Sequence, residues 1–459
     1  MAEFFEVEDS RPFRPRRHGG SESEYCFRRN LLVFPRVKEG SARSASVHEA
    51  YHFFEHCCTP FGFFRDELKE TEHTLVRTFL ERTPQVGIPI YNWYRDHRDD
   101  LDIEASESLE NLVCPWSASR YLLSVLDGQQ LNVVRSATEE KAARALRMVE
   151  TEPPIETAVV PPEVTVNNPT APASPNITHI DRDNDNETTN HAFGGLQLSE
   201  GIAGCAEGLP LVFMSEASLD YLLAVEALVE ILECEFPSYD ALTATYLTLA
   251  DLALQTPLGR VYGTLRNESS TWPDVHPGLR FLRIVECFSR HETWIEDLAD
   301  GETLATSIAA KLNWPSPSRF LATGANTAEE RFARHREACE IRQSNYMAFY
   351  DSTAFAESRN AEVHDFFNRH MPMTTHPELG TICEFTSPEA SSPLHQIRDS
   401  YYAAFCCHVM SGSDTREFLC LPSDLRYDIY FDNISNEADF RALFEDKYPW
   451  AHRSRFEVL

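Results

Sequence analysis

His48-Glu49-Ala50-Tyr51-His52 is an HExxH pentapeptide, and His56 continues it by one helical turn. On a helix, positions 48, 52 and 56 fall on nearly one face, the geometry that lets imidazoles reach one Zn²⁺, while Glu49 could polarise a bound water. The chemistry would be zinc-dependent hydrolysis, with His48 and His52 as ligands and Glu49 as base. Three fixed positions in five are a short pattern for a chain with 17 histidines, and the third ligand is undetermined among His56, His73, Glu67, Glu70 and Glu72. Little chain precedes the motif to build the sheet that lines a substrate cleft. A helix with partly buried histidines is the favoured reading, so no metal or other cofactor and no catalytic residue is expected; the hydrolase stays as an alternative.

Other clusters carry less. Adjacent cysteines diverge on a helix, so neither His56-Cys57-Cys58 nor Cys406-Cys407-His408 chelates alone. The carboxylates Asp99, Asp100, Asp102 and Glu104 lack the spacing of an EF-hand or of a diphosphate-binding DDxxD site and read as a solvated run. The sequence contains no GxxxxGK[ST], no GxGxxG after a strand and no GxSxG, which leaves nucleotide-binding and serine-hydrolase readings without support.

The positive charge is concentrated at one end. Residues 11–43 hold nine basic side chains against three acidic ones, whereas the whole chain is −31. Arg11, Arg14, Arg16 and Arg17 flank Phe13, and Arg28 and Arg29 follow Tyr25 and Phe27. Such interleaving suits phosphate neutralisation with base stacking, or packing against a neighbouring subunit. Acidic residues within and before this arm argue against tight packaging of RNA by charge alone.

The 459 residues suffice for a large core, with ordinary globular values of 42% hydrophobic and 25% charged residues. The acidic start lacks a signal-peptide pattern and no run is apolar enough to span a bilayer, so synthesis in the cytosol and no membrane partner are expected. Twelve cysteines without regular spacing read mostly as reduced core thiols.

Four regions organise the chain. Residues 1–43 read as a mobile arginine-rich arm and 44–151 as a helical region. Residues 152–204, with seven prolines and the polar run Asp181 to Glu187, read as an excursion or linker, or as an exposed protrusion with some strand near Thr157 to Val160 and Val164 to Val166. Residues 205–459 form the main helical region. There Ser215 and Ser238 are candidate caps, Pro277 fits a first turn, and Asn326 with Glu329 suggests the start of a long helix to about Tyr350. Helices near 354–369, 394–410 and 436–446 follow. The fold class expected is mainly α, a helix-rich shell-type domain with a small irregular or β-containing projecting insertion.

This organisation, an arginine-bearing arm from Arg11 to Arg43, a helical body and a Pro- and Asn-rich excursion at 152–204, resembles the capsid proteins of small double-stranded RNA viruses of fungi and plants, the partitivirus-like group. The resemblance implies helical subunits that pair as quasi-symmetric dimers and form icosahedral shells with a projecting arch and an inward-facing arm. The expected function is a self-assembling coat subunit enclosing a double-stranded RNA genome, located in the virion and host cytoplasm. Its partners would be further copies of itself and, through Arg11, Arg14, Arg16, Arg17, Arg28 and Arg29, RNA or a neighbouring subunit. A cytosolic helical adaptor is a further alternative.

Overall fold

The computed structural model describes residues 24–26, 31–34, 51–65, 125–128, 164–165, 174–181, 187–206, 219–232, 237–257, 272–326, 333–350, 361–370, 373–376 and 380–384. Helices dominate them, in agreement with a mainly α chain. Every strand pairing among the described residues is antiparallel.

Residues 51–58 and 60–65 are helical on either side of a bend at Thr59. The Thr59 hydroxyl donates to Glu55 O at 2.7 Å and accepts from Gly62 N at 3.0 Å. One side chain thus closes the first helical stretch and caps the second, with Pro60 in the first turn where a missing N–H costs nothing. Tyr51, Phe53, Phe54, Phe61, Phe63 and Phe64 are all buried, so this aromatic segment is core.

The core is built around α3. Helices α1 (Gly195–Ala206), α2 (Leu219–Leu232), α3 (Tyr239–Leu254), the short α4 (Trp272–Val275) and α5 (Pro277–His291) precede a 3₁₀ turn (Leu298–Asp300). Then come α6 (Gly301–Lys311), α7 (Pro317–Ala325), α8 (Ala333–Ser344) and α9 (Ala361–His370). Helix α3 packs against α1, α5 and α6. Apart from Thr243 it is buried from Ala241 to Leu254, the pattern of a helix enclosed on all sides rather than one with a wet face.

Ser238 caps α3 through its side chain, which accepts from Ala241 N at 3.0 Å, and Pro277 occupies the first turn of α5, both as expected. The far end of α3 is capped in trans. Arg280 donates to Leu252 O, Ala253 O and Gln255 O, each at 3.0 Å, and to Asp274 O at 2.8 Å, with its guanidinium 3.9 Å from the centre of the Trp314 ring. These are carbonyls that a helix end leaves without partners inside the helix. Helix α6 ends in a Schellman arrangement: Asn313 at φ 57 lets Trp314 N reach Ala309 O and Asn313 N reach Ala310 O.

Asn326 closes a helix, and the expected start just beyond it, with Glu329, lies outside the described residues. Asn326 is the C-cap of α7, donating from its side chain to Ala322 O at 2.7 Å, and Pro317 sits in the first turn of that helix. The described helix after it runs from Ala333 to Ser344, and turns rather than helix carry the chain to Tyr350.

Two small sheets flank these helices in sequence. Strands β3 (Val164–Thr165), β4 (Asn176–Asp181) and β5 (Glu187–Ala192) form an antiparallel sheet in that order, with the polar run 181–187 at its hairpin. The excursion therefore contains strand, as expected near Val164. Its last residues are core, since α1 begins at Gly195 and runs through the boundary drawn at 204. The second sheet has the order β1 (Glu24–Cys26), β2 (Leu31–Phe34), β7 (Gly380–Glu384), β6 (Met373–His376). Here β2 pairs with β7 from Leu31↔Glu384 to Phe34↔Thr381. The arm is therefore not a plain tail along its whole length: the run Leu31-Leu32-Val33-Phe34 has the composition of a strand, and it finds its partner about 350 residues downstream.

Candidate functional site around His52

Of the residues singled out for chemistry, Arg11, Arg14, Arg16, Arg17, Arg28, Arg29, His48 and Glu49 lie outside the described residues, as do Asp99 to Glu104 and Cys406 to His408. Arg28 and Arg29 fall in the four residues between β1 and β2. His52 is described, and its surroundings form a buried polar cluster within the aromatic core.

His52 comes from the segment 51–58 and meets α1. Its Nδ1 is 2.9 Å from Ser199 Oγ and its Nε2 is 3.5 Å from Glu200 Oε2. The Glu55 carboxyl lies one turn along the same helical stretch, near the Ser199 hydroxyl. Burial pushes Glu55 from an ordinary 4.5 up to about 7, opposed by the Arg65 guanidinium, the Ser199 hydroxyl and His52, and assisted by Glu200. Arg65 itself is ion-paired with Asp127, both buried, and lies 4.5 Å from the Phe61 ring centre. Glycines permit this approach: a Cβ on Gly195 would lie 2.3 Å from the Phe61 ring, and one on Gly128, at φ +76, would lie 2.4 Å from Gly194 N.

Serine, histidine and glutamate joined in a chain are the residue types of an acyl-transfer triad. The other requirements are not met. Ser199 sits in the second turn of α1, where backbone N–H groups belong to the helix and offer no oxyanion site. Ser199 and Glu200 are only 4% and 5% exposed, so the hydroxyl faces neighbouring helices rather than a substrate. Both ring nitrogens of His52 likewise face α1, so His52 is not assigned as a metal ligand. Among the described residues no group of three or more His, Cys, Asp or Glu side chains is arranged to hold a metal ion.

The second half of the His56-Cys57-Cys58 cluster is also structural. His335 Nδ1 is 2.8 Å from Cys57 O, and its Nε2 is 3.6 Å from Cys339 Sγ. The carbonyl requires the proton on Nδ1, so Nε2 accepts from the thiol. Cys57, Cys58, Cys205, Cys287 and Cys339 are buried thiols, as the spacing suggested, and burial raises the Cys58 and Cys205 thiols well above their ordinary value.

Glu55, Arg65, Asp127, Ser199 and Glu200 were not singled out from the sequence. A signal was present in Tyr51-His52-Phe53-Phe54-Glu55-His56: an acid inside an aromatic run that must be buried needs partners from elsewhere in the chain. The spacing could not say where they lie, because Ser199 and Asp127 are brought to it by tertiary packing.

Helix α3 and α8 hold a second polar cluster, described below, and no helix among the described residues is long and apolar enough to cross a membrane. Comparisons of the chain with protein-family models, with curated proteins and with solved structures found no match.

Proposed function

We propose that this chain is a self-assembling structural protein, a viral coat subunit enclosing a double-stranded RNA genome, acting in the virion and the host cytoplasm. The observation that carries the reading is the chain's charge polarity. An arm of net +6 over residues 11–43 is tied by β2 to β7 of a chain whose residues 44–459 sum to −33. An acidic wall lets an enclosed duplex move, because a strongly basic one would pin it through counterion release. The arginines of the arm then supply the local contacts, to RNA or to a neighbouring copy, and their planar forks suit phosphate and carboxylate alike.

The polar groups of the helical core fit a scaffold. The Arg280 cap and the contacts around His52 tie helices together, and neither presents a reacting atom at a surface. Size-exclusion chromatography with electron microscopy tests the assembly: large uniform particles are expected, and a monomer across a range of salt and pH would overturn it. Deletion of residues 1–23 removes Arg11, Arg14, Arg16 and Arg17 while leaving β1 and β2. It should lower co-purifying nuclease-resistant RNA or impair assembly; if neither changes, those arginines have no such role.

A further inference from the structure

We propose that Glu337 is a positioning residue that fixes the arm-bearing sheet to the helical body: it clamps the last two residues of α9, and this clamp sets where the chain enters β6. This goes beyond the coat reading and does not depend on it.

The sheet has the order β1, β2, β7, β6, so the pair β6 and β7 is the template on which β2 of the arm is held, from Leu31↔Glu384 to Phe34↔Thr381. Among the described residues two routes along the chain join this sheet to the helices. Sixteen residues, 35–50, separate β2 from the helical segment that starts at Tyr51, whereas only Met371 and Pro372 separate His370 at the end of α9 from β6. The long route can extend to about 60 Å and leaves the placement of the sheet open, while the short one reaches about 10 Å, so the start of β6 follows His370. Strands of three to five residues depend on what they are attached to.

Helix α9 packs against α8, and its Val363 and Phe366 are fully buried. The Phe366 ring centre lies 6.3 Å from that of Phe53 and 5.3 Å from that of Phe349. This apolar contact seats the helix but stops one turn before its end. The last turn is held by Glu337 of α8. Its Oε2 accepts from His370 Nε2 at 2.7 Å, and its Oε1 lies 2.6 Å from Arg369 Nη2 in an ion pair without the alignment of a hydrogen bond. An ionised carboxylate only accepts, so His370 makes its contact through an Nε2–H that the neutral and the charged ring can both carry. The His370 ring is buried and lies 4.7 Å from that of Phe366. One carboxylate thus engages two successive side chains at a helix end, where the final carbonyls have no partner within the helix and the last turn frays. Without it the turn that leads into β6 is free to move, and the strands paired beyond it lose their fixed attachment.

Hydrogen exchange of the full-length chain tests this with Glu337→Ala. Amides of 31–34, 373–376 and 380–384 should exchange about tenfold faster or more than in wild type, the effect of losing a charge-assisted contact, while those of α3 keep their protection. Unchanged exchange of the strands, or an equal rise in α3, would overturn the proposal. Should E337A fail to fold, Glu337→Gln decides, because it keeps an acceptor for His370 and removes the charge that Arg369 meets. Exchange of the three strands should still rise relative to α3, and an unchanged ratio would equally overturn it.

Discussion

Arg342 Nη2 lies 2.7 Å from Asp251 Oδ2 in an ion pair with no exposed side-chain surface on either partner. Asp251, on α3, also accepts from the Tyr346 hydroxyl, from the Tyr350 hydroxyl at 2.7 Å and from Gln255 Nε2 at 3.2 Å. Arg342, on α8, donates further to Cys58 O at 2.7 Å and Tyr346 O at 2.8 Å, and Tyr51 donates to Tyr350 O at 3.2 Å. Three parts of the chain far apart in sequence meet here: the aromatic segment, α3 and α8. Asp251 holds Arg342 firmly charged and, with burial, raises both tyrosine hydroxyls well above their ordinary value, so they remain donors.

A pair of this kind is costly to break on one side. Asp251→Asn leaves the Arg342 charge buried without its counter-ion and should cost about 3–5 kcal/mol. Arg342→Met should cost a similar amount by orphaning Asp251. The double variant D251N/R342M should cost clearly less than the two together, because no uncompensated charge remains. Denaturant midpoints of the four proteins measure this, and strictly additive losses would show that the pair is not energetically coupled.

The approach of α1 to α3 yields a second expectation. A Cβ on Gly201 would lie 2.2 Å from Tyr246 Oη and 3.0 Å from Cζ, and this hydroxyl donates to Leu198 O at 3.3 Å. Gly201→Ala should cost about 1–3 kcal/mol through overpacking, despite alanine's better helix propensity. Tyr246→Phe alone should cost about 1 kcal/mol by removing one hydrogen bond. In the double variant the clash at Oη is gone, so G201A/Y246F should be more stable than the sum of the single losses implies. A thermal or chemical unfolding series reads this directly; a fully additive pair would mean that the tyrosine shifts aside.

What the sequence made legible divides along physical lines. Caps and stops that depend on neighbours in the chain were readable: Ser238, Pro277 and the apolar faces of α2, α3 and α5 needed no knowledge of the fold. Helices α6 and α7 were missed because Gly301 and the Ser316-Pro317 start are weak signals with few large apolar residues behind them. Asn326 was not recognisable as the close of α7, because an Asn serves as well at a C-cap as at an N-cap. The polar core was the least legible part. Glu55, Asp251 and Arg342 look like surface charges in a local window, and only the partners brought by distant elements make their burial tolerable.

His276 supplies the last expectation. It is the N-cap of α5: Nδ1 accepts from Leu279 N at 3.3 Å, so Nε2 carries the proton that it donates to Val125 O at 2.9 Å. Burial pushes this imidazole from 6.5 down to about 4, against the contacts with Val125 O and with its own backbone, which favour its charge. A base held neutral in this way stabilises the fold above pH 6.5 and loses that contribution as pH falls toward 4, a change of about 3 kcal/mol at 1.36 kcal/mol per unit. Glu55 slopes the other way between pH 4.5 and 7, so in wild type the two contributions nearly cancel from 4.5 to 6.5. His276→Asn keeps a capping acceptor and removes the titration. It should leave stability falling as pH rises through this window, whereas Glu55→Gln should leave stability rising. Urea midpoints taken every half unit from pH 4 to 7.5 distinguish the two variants, and identical slopes in wild type and H276N would show that His276 is not held neutral by the fold.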